Sequence, residues 1–510
     1  MESVLAQSKD IPLWGWTIIG VVAYFTGLVM YRLYFHPLAK FPGPKLAAAS
    51  FLYEFYYDAI LPGRYTWHLK DLHAKYGPII RSNPNEIHIN DPDFFDDVYP
   101  SGAKRRIDKP YAKMFGISTD IFSAVSHEKH KAYRNVVNPY FSRRAVLNIE
   151  RSIQVIIEEL CTRFEAAAHT GELISVGYAY AALTSDVINE YCFAKTHHAV
   201  LMPDFNKATY ESFLGFTKLG NITKTMPSLL ILLRMTPQWL LGKLSPHFGQ
   251  GFRVQAEYAQ RIKDIKEGKD SSHEKSDHPT LFHALIESHL PEAEKTPDHL
   301  KDWAQTFLTA GMFTVGHTLK CATYHILANK HVRDKLLAEI DAACPDPNGI
   351  PSLIELEKLP YLTNVLNESL RMSYGVSKRL TRSQPDNVLR YGEWVIPAGT
   401  PVGMTAILIH DNPDIFPEPF EFRPERWDGE AGRRLQKYLV AFNKGSRVCI
   451  GMGLAWAELY KTLASLLRRY DLELVGAIRE RDVDASRDYF NAEVSEDSPG
   501  LFVKVTGKRA

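Results

Sequence analysis

The 510-residue chain is 45% hydrophobic and 12% aromatic, enough to bury a large core, and length alone suggests two or three domains unless one large helical domain takes it all. Its 60 Lys and Arg balance 59 Asp and Glu, which removes the positive excess that nucleic-acid binding relies on and excludes that class of partner on charge. Five cysteines (Cys161, Cys192, Cys321, Cys344 and Cys449) are odd in number and lack CxxC spacing, which points to a reducing compartment rather than a disulfide framework.

Pro12 to Tyr31 carries no charged residue and is long enough for one helical bilayer crossing. Trp14, Trp16, Tyr24 and Tyr31 supply aromatic residues of the kind that sit at membrane interfaces. Lys9 precedes this stretch, whereas Arg32, Lys40 and Lys45 follow it, so the positive-inside rule keeps the bulk of the chain in the cytosol. A weak basic region and no obvious small-residue cleavage site favour a retained anchor over residues 1–35 against a cleaved signal peptide. Residues 36–45 contain Pro37, Pro42 and Pro44 and read as a stiff, non-helical hinge; residues 46–510 read as a single globular domain.

Within that domain, Gly77–Pro84 and Glu86–Asn90 read as two short strands about the Asn83-Pro-Asn turn. Residues 110–126 lack a clear period and read as a loop, and His127–Pro139 as a basic helix stopped by its proline. Amphipathic helices follow from Val146 to about Lys263, then an exposed loop over 266–275. Pro297 to Lys330 is the longest helical pattern, with an apolar centre suited to a helix buried on most sides. Gly311 and Gly316 weaken that helix but admit close approach of another body, and the Thr314 hydroxyl can bond a carbonyl one turn earlier. Tyr361–Met372 is a helix with Glu368 and Arg371 on one face; residues 376–382 run extended, and Tyr391–Thr400 reads as a hairpin. The class is mainly helical α+β with small sheets.

The chemistry-bearing stretch runs from Ala441 to Glu458. Cys449 lies between Gly445 and Gly451, with Arg447 two residues before it and a helix-forming run after it. Glycines let the backbone bend and pass close to a bulky group, and amides near a helix start stabilise a thiolate, which is how a sulfur anion is presented to a metal. Taken alone, Cys449 would instead be a small buried hydrophobe. The pattern Phe442-x-x-Gly445-x-Arg447-x-Cys449-x-Gly451 resembles the haem-binding loop of the cytochromes P450, in which a Cys thiolate holds the iron.

The resemblance extends along the chain. Residues 36–45 resemble the proline-rich hinge of microsomal members, and the 110–126 loop is similar by position to the roof of the substrate pocket, making Met114, Phe115 and Phe122 substrate contacts. His130-x-x-x-Arg134 stands where the family has a Trp-x-x-x-Arg pair on a haem propionate, and Arg382 where it places a further propionate arginine. Ala310-Gly311-Met312-Phe313-Thr314 stands in place of the oxygen-activating Ala/Gly-Gly-x-Asp/Glu-Thr segment. Glu368 and Arg371, with Arg426 from a downstream Pro-Glu-Arg-Trp box, are similar to the triad that braces the haem-side core. Val376, Tyr489 and Phe490 fall in segments that the family points into the pocket.

The resemblance implies a P450 fold holding haem b. Cys449 would be the axial ligand, Phe442 and Arg447 part of its loop, and His130, Arg134 and Arg382 the propionate holders. Thr314 would position dioxygen and relay protons, beside Ala310 and Phe313. It also implies a separate NADPH–cytochrome P450 reductase docking near Lys444 and Arg447, an endoplasmic reticulum membrane location facing the cytosol, and oxidation of a hydrophobic secondary metabolite of terpenoid or polyketide type. Two departures stand out: His130 replaces the Trp, and Phe313 replaces the acid before Thr314. Phe313 cannot carry a proton, so protons would arrive through water, Thr314 or another group such as His317. That replacement motivates an alternative chemistry of desaturation, coupling or rearrangement; a non-catalytic haem-binding membrane protein is the alternative of another class.

Overall fold

The computed structural model describes residues 12–509, except 103–104, 111–116, 118 and 345–348; Met114 and Phe115 therefore lie outside the described residues. Helix α1 (Leu13–Met30) continues as a wider turn to Phe35, and these 23 residues are apolar, unburied and long enough to cross a bilayer. Its root is fastened to the globular part. Arg32 Nη1 donates to the Ala49 carbonyl at 2.8 Å, and Arg81 Nη1 donates to the Arg32 carbonyl at 2.8 Å. Between them the prolines of residues 36–44 leave the chain without a helix.

Ten longer helices follow: α2 (Tyr65–Tyr76), α3 (His127–Val137), α4 (Arg143–Thr170), α5 (Val176–Phe193), α6 (Lys207–Thr225), α7 (Pro246–Lys266), α8 (Pro297–Ala328), α9 (Lys330–Ala343), α10 (Pro360–Ser373) and α11 (Met452–Arg469). Side-chain caps mark several starts. Ser126, Ser142 and Thr296 hydroxyls accept from the amides of Lys129, Ala145 and His299, each satisfying a donor that has no partner inside the helix. Pro297 then occupies the first turn of α8, where its missing N–H costs nothing.

The strands are β1 (Ile79–Asn83), β2 (Glu86–Ile89), β3 (Ile174–Ser175), β4 (Leu389–Tyr391), β5 (Trp394–Ile396), β6 (Val402–Gly403), β7 (Tyr470–Val475), β8 (Arg487–Tyr489), β9 (Asn491–Glu493) and β10 (Phe502–Lys508). They make a sheet of order β1-β2-β6, a second of order β3-β10-β7, and the hairpins β4-β5 and β8-β9. The predicted pair about Asn83 is β1-β2, antiparallel with Ile80 opposite His88; β6 joins it in parallel through Ile87 and Val402.

Helix α8 runs through the main core and buries Leu300, Phe307, Leu308, Met312, Val315 and Leu319. The close neighbour that its glycines admit is another helix, α5. A Cβ at Gly316 would stand 3.2 Å from the Ala181 nitrogen, and one at Gly311 3.3 Å from the Ile188 Cβ. Both lie in the tight range where a neighbour must give way, which fixes how near the two axes sit.

Behind the core, the Glu368 carboxylate is fully buried and accepts from Arg371 Nε and Nη2 (2.9 Å each), Arg426 Nε (2.9 Å), Trp427 Nε1 (3.0 Å) and the Arg423 amide (3.1 Å). Arg371 passes the connection on. Its Nη1 donates to the His410 carbonyl at 2.9 Å, His410 Nδ1 pairs with the Arg371 carbonyl at 2.8 Å, and His410 Nε2 accepts from the Val440 amide at 3.0 Å. Val440 begins the stretch that leads to Cys449. Removing one partner of a buried pair strands the other charge, so Glu368→Ala should lower stability by about 3–5 kcal/mol. The urea midpoint of the purified protein measures this, and Arg426→Ala should cost less because Arg371 still pairs.

Candidate active site

Two features shape the Cys449 loop. Gly445 has φ +78°, and a Cβ there would press on the Tyr99 carbonyl and stand 2.6 Å from the Pro100 carbonyl, so both conformation and space demand glycine. Gly451 differs: its φ is −81°, open to any residue, and a Cβ there would meet no protein atom within 4 Å. Gly451 borders the cavity, so its missing side chain leaves room for a bound group instead of permitting a bend. The Cys449 amide donates to the Phe442 carbonyl at 3.0 Å, and α11 starts three residues after the cysteine. The sulfur is accessible, but from within, since Cys449 lines the internal cavity. Burial pushes its thiol up, opposed by the Gly451 N–H and the Arg134 guanidinium; a metal cation at the sulfur would tip the balance to thiolate.

The cavity measures about 320 Å³. Cys449, Phe442, Arg447 and Gly451 border it together with Ala310, Phe313 and Thr314 of α8, and with Phe122, Val376 and Phe490. Thr314 donates its hydroxyl to the Ala310 carbonyl at 2.8 Å, the one-turn bond expected of it, which leaves the oxygen free to accept from a guest. Phe313 is buried and its ring packs 4.9 Å from that of Tyr210. Phe490 adopts a left-handed φ of +81°, held by Ser377 and Lys378 amides donating to its carbonyl, and its ring meets Phe122 edge-on at 5.4 Å. Phe213, Phe216 and Phe307 complete an aromatic wall that no sequence motif announces.

Tyr489, paired with Phe490 in the sequence reading, does not border the cavity. Tyr489 ends β8, whereas Phe490 occupies the left-handed turn that follows; the Tyr489 hydroxyl donates to Glu496 at 2.8 Å under the Lys218 ammonium. His317 is likewise absent from the lining, and burial holds its imidazole down to about 3, in the neutral form.

Basic groups gather around Arg447, which borders the cavity. Arg447 donates to the carbonyls of Ala124 (2.7 Å), Val125 (2.8 Å) and Ser126 (3.2 Å), while its buried Nε has no partner. Arg382 lies over the Tyr99 ring and donates to the Leu380 and Thr381 carbonyls. Arg134 donates to the Val448 carbonyl and to Asn138, so it bolts α3 to the cysteine loop. His130 is buried one turn away, held well below its usual range by burial and by Arg447 and Arg134. Lys109, which sequence reasoning missed, donates to the Phe122 carbonyl at 2.9 Å; burial, with Arg382 and Arg447 nearby, depresses its ammonium strongly. Among the described residues none of these five groups has an ion pair within 4.0 Å.

Burial and the Arg382 charge hold the Arg447 guanidinium down to about 9, so the cluster is electrostatically costly as it stands. An internal sulfur, a glycine-floored cavity and an uncompensated cationic edge fit a large, flat, dianionic metal cofactor of the haem type. A charge-assisted hydrogen bond to a carboxylate contributes about 1.5–3 kcal/mol. Lys109→Met and Arg447→Gln should therefore each weaken haem retention by roughly tenfold or more, read as the rate of haem loss to an excess of apomyoglobin, with the urea midpoint of the haem-free protein unchanged or raised.

Comparison with known proteins agrees with this geometry. The family model described as Cytochrome P450 matches residues 59–489. The chain is 39% identical to the tryptophan 6-hydroxylase fscE of Fusarium equiseti over 98% of both chains, and 41% identical to the cytochrome P450 monooxygenase MO6277 of Ascocoryne sarcoides over 95% of this chain and 96% of that one. A crystal structure of a cytochrome P450 (CYP102L1) superposes with a TM-score of 0.70 at 18% identity, covering 87% of this chain and 94% of the other. A cysteine opening inward beneath a long apolar helix, in a chain matched over nearly its whole length, makes this protein a member of the cytochrome P450 family of haem monooxygenases.

Proposed function

We propose that the chain is a membrane-anchored haem-thiolate monooxygenase that takes electrons from an NADPH–cytochrome P450 reductase and oxidises a hydrophobic secondary metabolite of terpenoid or polyketide type. The observation that carries this reading is the Cys449 sulfur open to the same aromatic-walled cavity as the Thr314 hydroxyl. Haem b bound there supplies the one-electron chemistry that activates dioxygen. Cys449 would hold its iron through sulfur, and Arg447, Arg382 and Lys109 would hold the propionates, with Arg134 and His130 supporting the loop. Thr314 offers its oxygen to a bound guest and exchanges its proton between the Ala310 carbonyl and that guest. The phenylalanine walls exclude bulk water, which protects the reacting centre and favours an apolar substrate.

Residues 1–35 serve as anchor, 36–45 as hinge and 46–510 as catalytic domain, in the endoplasmic reticulum membrane facing the cytosol. Exposed Ile231, Leu232, Met235 and Trp239 add a second apolar surface in keeping with a lipid setting. The reductase docks on the face carrying Lys444. Arg447 is turned inward to the Ala124–Ser126 carbonyls and takes no part in that contact.

A second reading, an aromatic substrate with a carboxylate, is favoured by the nine phenylalanines and by Lys378 at the cavity wall, alongside the tryptophan 6-hydroxylase name of a relative. Lys378 is engaged by Asp58 at 3.3 Å and by Asn221, so such a carboxylate would share it.

The reduced, carbon-monoxide-bound spectrum tests the class: the wild type should give a thiolate-type Soret band and Cys449→Ala should not. A wild type without that band would sink the assignment. Spin-state titration with terpenoids, polyketides and tryptophan derivatives then ranks the substrate classes, and Lys378→Met should weaken carboxylate-bearing ligands by roughly tenfold while leaving neutral ones unchanged.

A further inference from the structure

Phe490 borders the cavity from a left-handed backbone conformation that bulky residues rarely adopt, and such strain persists only where the surroundings enforce it. The enforcing group is Asp488, two residues earlier on β8. Its side chain is 1% exposed and does not itself line the cavity. Asp488 Oδ1 accepts from the Phe490 amide at 2.9 Å, and Oδ2 accepts from the Thr66 hydroxyl of α2 at 2.5 Å. The Ser377 hydroxyl is shared between Asp488 Oδ1 (3.0 Å) and the Phe490 carbonyl (3.2 Å), which also accepts from the Ser377 and Lys378 amides at 3.0 and 3.3 Å. Both the N–H and the C=O of the strained residue are thus clamped, which fixes the direction in which its ring leaves the backbone. Phe122, edge-on at 5.4 Å, completes the placement.

The main chain of the same aspartate reaches a second wall. Its carbonyl accepts from Asn221 Nδ2 at 2.7 Å, near the end of α6, the helix that lends Phe213, Phe216 and Thr217 to the cavity. Asn221 Oδ1 in turn accepts from Lys378, which lies on the cavity wall beside Phe490. On the outer side the Asp488 amide donates to the Gly63 carbonyl at 2.8 Å, and a Cβ at Gly63 would stand 2.7 Å from the Asp488 nitrogen, so β8 is seated against a position that only glycine permits.

We propose that Asp488 is a positioning residue for the oxidation, which holds the Phe490 ring against the guest and so sets how a long apolar substrate lies over the Cys449 side of the cavity. Loss of its Oδ1 leaves the Phe490 N–H buried without a partner and removes the reason for the left-handed turn; the residue relaxes toward an ordinary conformation and the ring leaves the wall. A purely structural carboxylate would affect the stability of the whole chain without selecting between guests of different length. Asp488 acts on length, because its effect passes through one ring.

The inference rests on the monooxygenase reading, and two azole probes keep their failures apart. Imidazole is small enough to meet the iron alone, whereas biphenylmethyl-imidazole is long enough to reach the walls; each is titrated into the haem-loaded full-length protein and read from the Soret shift. Phe490→Ala and Asp488→Ala should each weaken the long probe by roughly tenfold while leaving imidazole binding unchanged. The double variant should be no weaker than Phe490→Ala, since contacts that act as one unit are not additive. Asp488→Asn keeps an oxygen that accepts from the Phe490 N–H and should retain most of the affinity. Should Asp488→Ala fail to fold, Ser377→Ala, which removes the hydroxyl shared by Asp488 and the Phe490 carbonyl, should weaken the long probe alone by roughly threefold. Unchanged binding of the long probe in Phe490→Ala or in the Asp488 and Ser377 variants that fold, equal losses for both azoles, or additive losses in the double variant overturns the proposal. A wild type with no thiolate-type carbon-monoxide band and no Soret shift with imidazole overturns the monooxygenase reading itself.

Discussion

A single buried carboxylate organises the proximal half of this molecule. Glu368 has no access to water and receives two arginines, an indole N–H and a backbone amide. Such a group is tolerable in a protein interior only when its lone pairs are filled, so α10, the Pro424–Trp427 turn and the Arg423 backbone must arrive in one arrangement. Arg371 carries that arrangement outward through His410 to the Val440 amide. The cysteine loop is thus tied to a charge network as well as to apolar packing by Val440, Phe442 and Ile450.

The distal side follows a different principle. There α8 is held by shape: Gly311 and Gly316 let α5 approach, and phenylalanines close the walls. Between the two regimes lies the cationic edge formed by Lys109, Arg382 and Arg447, where the protein accepts an unfavourable concentration of charge. The cost falls when an anion binds, so binding of an anionic cofactor and the placing of Lys109, Arg382 and Arg447 are coupled.

Much of this was legible in the sequence because it is local. A ligand loop such as Phe442–Gly451 is a short run of backbone whose conformation depends on its own glycines. The Glu368–Arg371 spacing places two groups on one helix face. What the sequence hid depends on chain segments that meet only after folding. Lys109 reaches Arg447 across more than three hundred positions, and His410 is an unremarkable residue in a short helical turn. Tyr489 shows the opposite limit: its neighbour Phe490 lines the cavity from a left-handed turn, a backbone conformation that the sequence does not announce, while Tyr489 stays on the strand. The bond from Arg134 to the Val448 carbonyl was likewise hidden, because a guanidinium can be satisfied by main chain as well as by carboxylate.

The fastening of α1 has a mechanical meaning. Arg81 belongs to β1 and grips the Arg32 carbonyl at the end of the apolar helix, while Arg32 itself grips Ala49. A helix joined this way acts as a lever and not as a rope: rotation of α1 is passed to the first sheet, and through β6 and the bridge between Val402 and Arg382 to the edge of the cavity. Were α1 to span a bilayer, as proposed, any change in its tilt would be passed to the first sheet by the same two bonds.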